Sequence, residues 1–109
     1  MEKKNNWIKI ANKPGEIIFP ENNIAKITVK EKAICVIQKD GGLKACVSKC
    51  PHAGGDLSDG YLDKRNHIVC PVHCYRFNLD SGRDNNGEGY FLKIFPIKIE
   101  KDGIFVALE

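Results

Sequence analysis

The sequence predicts an all-β domain of short antiparallel strands, and three observations carry that prediction. Apolar and polar residues alternate in short runs along most of the chain, the period of two expected of half-buried strands. Turn-forming groups separate the runs: Asp40-Gly41-Gly42, Asp80-Ser81-Gly82 and Lys101-Asp102-Gly103. No stretch sustains the 3.6-residue period of an amphipathic helix. At 109 residues the chain is long enough for one domain with a modest core. On this evidence a sandwich and a small barrel are both open.

Taken in order, "WIKIA" at 7–11 alternates and is the first strand. "AKITVKEKAICVIQ" at 25–38 alternates in two segments, with a tight turn expected at Glu31-Lys32. "KDGGLKACVS" at 39–48 is a turn followed by a strand. "CYRFNL" at 74–79, "FLKIFPIKIE" at 91–100 and "IFVAL" at 104–108 complete the set. Pro96 lies inside a strand pattern and cannot donate to a ladder, so it predicts an edge or a bulge. There is no repeat, no low-complexity segment and no linker.

Composition narrows the classes. No apolar run approaches the roughly 18 residues of a spanning helix. The start "MEKKNNWIKIANKPG" has no apolar core and no small-residue cleavage site, so no signal peptide and a cytoplasmic location are expected. Five cysteines are an odd number, which argues against a fully paired disulfide framework and favours metal. The net charge of +3 is uneven: residues 1–44 hold nine Lys against five acids. Those lysines are scattered among apolar residues, as on solvated strand faces, so neither a nucleic-acid partner nor a membrane is expected.

Residues 46–78 break the pattern. They hold all three His and four of the five Cys, and are rich in Gly and Pro. With little apolar material to pack, this segment calls for a bound metal centre. Its donors are Cys50-x-His52 and, after seventeen intervening residues, Cys70-x-x-His73. Equal numbers of thiolates and imidazoles suit zinc or iron. A mononuclear zinc site usually takes its cysteines as one pair and its histidines as another, whereas here each loop supplies one of each. A two-iron cluster with unlike irons wants that arrangement, with both thiolates on one iron and both imidazoles on the other. Cys46, Cys50, Cys70 and Cys74 offer a rival four-thiolate set. Against it, Cys46 falls in a strand pattern, and two well-placed histidines would go unused.

The pattern resembles the Rieske ferredoxin family, of the soluble, low-potential type. Cys50-Pro51-His52 followed by Gly54-Gly55, and Cys70-Pro71-Val72-His73, carry the resemblance. "VSKCPHAGGDLSDGYL" and "CPVHCYRFNLDSGR" are similar to the family's two cluster loops, "LKIFPIKIEKDGIFVAL" to its closing hairpin and "IIFPENNIAKITV" to its early strands. The resemblance implies a Rieske-like fold of three small antiparallel sheets. It implies one domain over 1–109, with a cluster-binding subdomain at about 46–78 and a base of 1–45 and 79–109. It further implies one [2Fe-2S] cluster, with Cys50 and Cys70 on the inner iron and His52 and His73 on the outer. Two ferric ions, two sulfides, two thiolates and two neutral imidazoles sum to zero charge. Oxidation should make the exposed ring N–H groups more acidic, so the potential should depend on pH.

Respiratory members carry an extra Cys in each loop; Gly55 and Val72 stand at the corresponding positions, so that disulfide is absent. Tyr75 and Phe77 stand where those members place a hydroxyl residue and a Tyr near the cluster, which implies a potential low in the Rieske range. The implied function is a soluble one-electron carrier between a reductase and a terminal oxygenase or reductase, with no catalysis of its own. The alternatives are the small subunit of an assimilatory nitrite reductase-like enzyme and a structural zinc domain. Cys74 departs from the family's usual Gly; a small side chain tolerated in a tight loop is the plainer reading, a redox-sensitive thiol the sharper one. Cys35 reads as a buried apolar residue and His67 as a solvated loop residue. Trp7, Phe91, Phe95 and Phe105 read as core, and Ala53, Gly54 and Val72 as a flat patch beside the ligand histidines.

Overall fold

The computed structural model describes residues 6–52 and 54–108. Ten strands follow in order: β1 (Trp7–Ala11), β2 (Ile24–Val29), β3 (Lys32–Lys39), β4 (Gly42–Val47), β5 (Tyr61–Leu62), β6 (His67–Val69), β7 (Arg76–Asn78), β8 (Ile94–Phe95), β9 (Ile97–Glu100) and β10 (Gly103–Ala107). They form three antiparallel sheets: β1-β10-β9, β2-β3-β4-β8 and β5-β6-β7. Helix is confined, among the described residues, to single 3₁₀ turns at Pro14–Glu16 and Leu57–Asp59. No helix among the described residues is long and apolar enough to cross a membrane.

β3 organises the interior. Ile34, Cys35, Val36 and Ile37 are all buried, so this strand is covered on both faces. Ile34 and Val36 join Val29, Ala45, Phe95 and Val106 in one core. Cys35 and Ile37, pointing the other way, join Ile24, Leu57, Ile68, Phe77, Leu79, Leu92 and the two loop cysteines, Cys50 and Cys70, in a second. The loops proposed to hold metal are therefore floored by packed apolar side chains.

One turn expectation needed adjustment. The β2–β3 turn is Lys30-Glu31, not Glu31-Lys32: Val29 pairs with Lys32, and the two turn residues have φ of 50° and 68°. Two positive φ values give the turn a twist that matches its strands. Burial sets the register, because a one-residue slip would turn Val29 and Ile34 out of the core. Pro96 lies between two edge strands, as expected, and marks a change of sheet: β8 before it pairs only with β4, and β9 after it only with β10. Its carbonyl accepts from the Ala107 N–H at 2.9 Å, which ties the two sheets at that corner.

Candidate metal centre

Two loops share one backbone frame. In the first, which leaves β4, the Cys50 N–H donates to the Gly55 carbonyl at 2.8 Å and the Gly54 N–H to the Cys50 carbonyl at 2.9 Å. In the second, between β6 and β7, the Cys70 N–H donates to the Tyr75 carbonyl at 2.8 Å and the Cys74 N–H to the Cys70 carbonyl at 3.0 Å. The fourth residue after each cysteine has positive φ, 73° at Gly54 and 58° at Cys74. A Pro follows each cysteine and fixes the first φ of the turn.

Each loop is anchored to its neighbours. Asp56 caps the 3₁₀ turn after the first loop, accepting from the Ser58 N–H at 3.0 Å, and pairs with Lys26 of β2 at 2.5 Å. The Asn22 amide donates to the carbonyls of Ser58 and Gly60 at 2.9 and 3.0 Å. Under the second loop, Asp63 accepts from the backbone N–H groups of Arg65 and His67, and pairs with the His67 ring at 3.0 Å and with Arg76 at 2.8 Å. Burial alone would push the Asp63 carboxyl up, but these donors outweigh it and hold it at about 2. His67 is thus buried on β6 beside Asp63, not solvated as the sequence suggested. Its position beside "YLDKRN" gave no sign of the carboxylate four residues earlier that folds back onto it.

The frame brings the four candidate donors together as two pairs. Cys50 and Cys70 are both buried and belong to one packed cluster. Burial pushes the Cys70 thiol up, while the N–H groups of Val72 and His73 bond its sulfur and favour the thiolate. His52 and His73 lie edge to face with ring centroids 5.3 Å apart. His52 is half-buried and its Nδ1 has no hydrogen-bond partner, whereas His73 is exposed. Among the described residues, no three His, Cys, Asp or Glu donors close on a single point as one ion would require. Gly55 completes the cradle: a Cβ there would meet Val72 Cγ2 at 2.5 Å and Cys70 Sγ at 3.2 Å. Val72 of one loop therefore lies over the bare backbone of the other, where respiratory members of the resembled family have their staple.

An orphaned buried imidazole nitrogen needs a partner, and His52 Nδ1 belongs to the donor set that a cluster between the loops would use. On this observation the residues fit a [2Fe-2S] group. The sequence profile of the Rieske [2Fe-2S] domain matches residues 6–90.

The chain belongs to the Rieske [2Fe-2S] domain family.

Among its relatives, the ferredoxin component of the naphthalene 1,2-dioxygenase system of Pseudomonas aeruginosa is 31% identical over 84% of this chain and 88% of that protein. The carnitine monooxygenase oxygenase subunit of Acinetobacter pittii is 33% identical over 94% of this chain, but only 30% of that longer subunit is covered. Among solved structures, the ferredoxin of carbazole 1,9a-dioxygenase from Nocardioides aromaticivorans superposes with a TM-score of 0.79, at 18% identity and over 94% of this chain and 98% of that one. That likeness establishes the three-sheet Rieske fold.

Two of the remaining cysteines, Cys35 and Cys46, belong to the same core as Cys50 and Cys70. Cys35 and Cys46 are register partners across β3 and β4, both fully buried. A thiol contact with Cys35 and burial push Cys46 well up. Cys74 is exposed. Of the aromatics expected in the core, Phe95 is buried, while Phe91 is 60% exposed, with Arg83 over its ring at 5.8 Å. Trp7 and Phe105 are half-buried and share Lys98 above them. Of the flat patch, Gly54 and Val72 are exposed, and Ala53 lies outside the described residues. Sequence reasoning missed Tyr90 and Glu88. Tyr75 stacks on His52 with centroids 3.7 Å apart and planes 13° from parallel, Tyr90 meets His52 edge-on at 5.1 Å, and the Tyr75 hydroxyl donates to Glu88 at 2.6 Å. The run "DNNGEGY" reads only as a loop.

Proposed function

We propose that this chain is a one-electron carrier whose [2Fe-2S] cluster is held by Cys50, His52, Cys70 and His73. The observation that carries the ligand assignment is the buried, unpartnered Nδ1 of His52, two residues from buried Cys50 and across from the second loop's buried Cys70. When bound, the cluster supplies reversible uptake of one electron. The chain's own residues supply the setting. Cys50 and Cys70 sit on the apolar floor, where packing excludes water. The Val72 and His73 N–H groups donate to Cys70 sulfur and stabilise its charge. His73 with Val72 forms the exposed rim that a partner protein meets.

The partners proposed are a reductase on one side and a terminal oxygenase or reductase on the other, the arrangement in which the naphthalene dioxygenase relative is a ferredoxin component. Transient redox contacts need only a small surface. Five unpaired cysteines fit a reducing compartment, and the cytoplasm is the proposed location. The potential belongs low in the range of about −150 to +300 mV. Phe77 has no hydroxyl to offer the cluster, and the Tyr75 hydroxyl is committed to Glu88.

Potentiometric titration of the purified protein tests the proposal. A one-electron Nernst curve in the lower half of that range supports it. A protein with no titratable optical change, or one carrying a single zinc, sinks it.

A further inference from the structure

The two loops share a frame, so their residues can be paired by distance from the cysteine. The fifth residue is Gly55 in the first loop and Tyr75 in the second. Tyr75 reaches across and stacks on His52, the imidazole of the opposite loop. Gly55 has no side chain to lay on His73, and Val72 occupies the space where one would begin. His52 is accordingly half-buried and His73 exposed.

A third segment supports the covered side. Asp84 draws loop 84–90 into a closed knot: its Oδ1 accepts from the N–H groups of Gly87 and Glu88 at 2.9 and 3.2 Å, and its Oδ2 from the Tyr90 N–H at 3.2 Å. The Asp84 N–H returns a bond to the Tyr90 carbonyl at 3.2 Å. The knot presents Glu88 to the Tyr75 hydroxyl at 2.6 Å, and Tyr90 to the edges of both His52 and Tyr75. The Tyr75 ring is thereby held at its face by His52, at its edge by Tyr90 and at its hydroxyl by Glu88.

We propose that Tyr75, held by the Asp84-tied loop through Glu88 and Tyr90, is a positioning residue that fixes the ring orientation of His52 alone and leaves His73 as the imidazole open to partner proteins. This rests on the ligand assignment above. A stacked aromatic with a hydrogen-bonded tip has little rotational freedom, so the imidazole beneath it cannot turn without lifting the whole assembly. His73 has no such cover; it is exposed and meets only the His52 ring, edge to face, among the ring contacts of the described residues.

The test reads the geometry of each imidazole in the loaded, dithionite-reduced protein, by EPR line shape and by pulsed-EPR nitrogen couplings. Tyr75→Leu removes the stack; the expected result is broadened and shifted EPR features and a changed coupling for one of the two ligating nitrogens, the other keeping its wild-type value. Tyr75→Phe keeps the stack but loses the Glu88 tie, and gives a smaller change of the same kind. Asp84→Asn touches no ligand and should move the spectrum in the direction of Tyr75→Leu. Wild-type line shape and couplings in Tyr75→Leu overturn the proposal while the carrier function stands. If Tyr75→Leu takes up no iron, Tyr75→Phe and Asp84→Asn decide: wild-type spectra in both overturn it, and a change in one nitrogen alone supports it. A wild-type spectrum of all-thiolate character removes the ligand assignment and the proposal with it.

Discussion

The loops at Cys50 and Cys70 use the same hydrogen bonds, a Pro at the same place and a positive φ at the same position, yet they present their histidines differently. Backbone symmetry is set by the pair of bonds in each loop, from the cysteine N–H to the fifth carbonyl and from the fourth N–H back to the cysteine. Side-chain asymmetry is set by what stands at the fourth and fifth positions: Gly54-Gly55 in one loop, Cys74-Tyr75 in the other. The bare positions let the second loop close over the first, and the filled ones cover His52. The difference teaches that a shared frame brings four donors together while unlike side chains decide which imidazole faces outward.

The sharpest way to break this comparison is to fill the bare side. Gly55→Val places atoms on Val72 Cγ2 and Cys70 Sγ, and overpacking of this kind costs about 1–3 kcal/mol. Loss of iron and a lower thermal midpoint are expected, and the additional change Val72→Ala should recover part of both. Iron content and thermal unfolding of the two variants check this.

The second loop can be loosened from below. Asp63→Ala leaves the Arg65 and His67 N–H groups and Arg76 without their acceptor, a loss of about 1–3 kcal/mol. The same carboxyl gives a pH signature. Its folded pKa of about 2 lies below the ordinary 3.8, so the ionised form is favoured by folding. Its contribution is complete above 3.8 and fades as pH falls towards 2. Chemical denaturation across that window should show an acid-dependent loss that is larger in the native sequence than in Asp63→Ala, where Asp56 and Asp80, also held low by their donors, still contribute.

Making the two fourth positions alike has a smaller effect. Cys74 sits at φ 58°, where a non-Gly side chain costs about 1–3 kcal/mol, part of which Gly returns as chain entropy. Cys74→Gly should therefore raise the unfolding midpoint slightly and leave the visible spectrum unchanged. Loss of the cluster would instead make Cys74 a ligand. The weakest effect belongs to the exposed tie of the first loop. Lys26→Ala removes the pair with Asp56, which surface pairs of this kind value at about 0–1 kcal/mol; denaturant midpoints should barely move.

The longer strands and the cysteine–histidine spacing were legible because both are local; the short strands β5 and β6, in the segment between the loops, were not. Period-two burial is written in "WIKIA" and "AICVI", and each loop carries its own cysteine, proline and histidine. Expectations failed where distant groups decide. His67 is buried because Asp63 folds back beneath it and Arg76 of another strand joins them. Phe91 is turned outward at the isolated pairing of Arg83 with Phe91, a contact no periodicity announces. The assembly of Tyr75, Glu88 and Tyr90 was illegible for the same reason: Asp84 folds that loop with backbone bonds that leave no pattern in its sequence.

The central claim is that the four donors form two unlike pairs on a two-iron cluster, and EPR of the dithionite-reduced protein with iron and zinc analysis tests it most directly. The account predicts about two irons per chain and a rhombic signal with the low average g of histidine-ligated clusters. An all-thiolate signal, or one zinc and no signal, would contradict it.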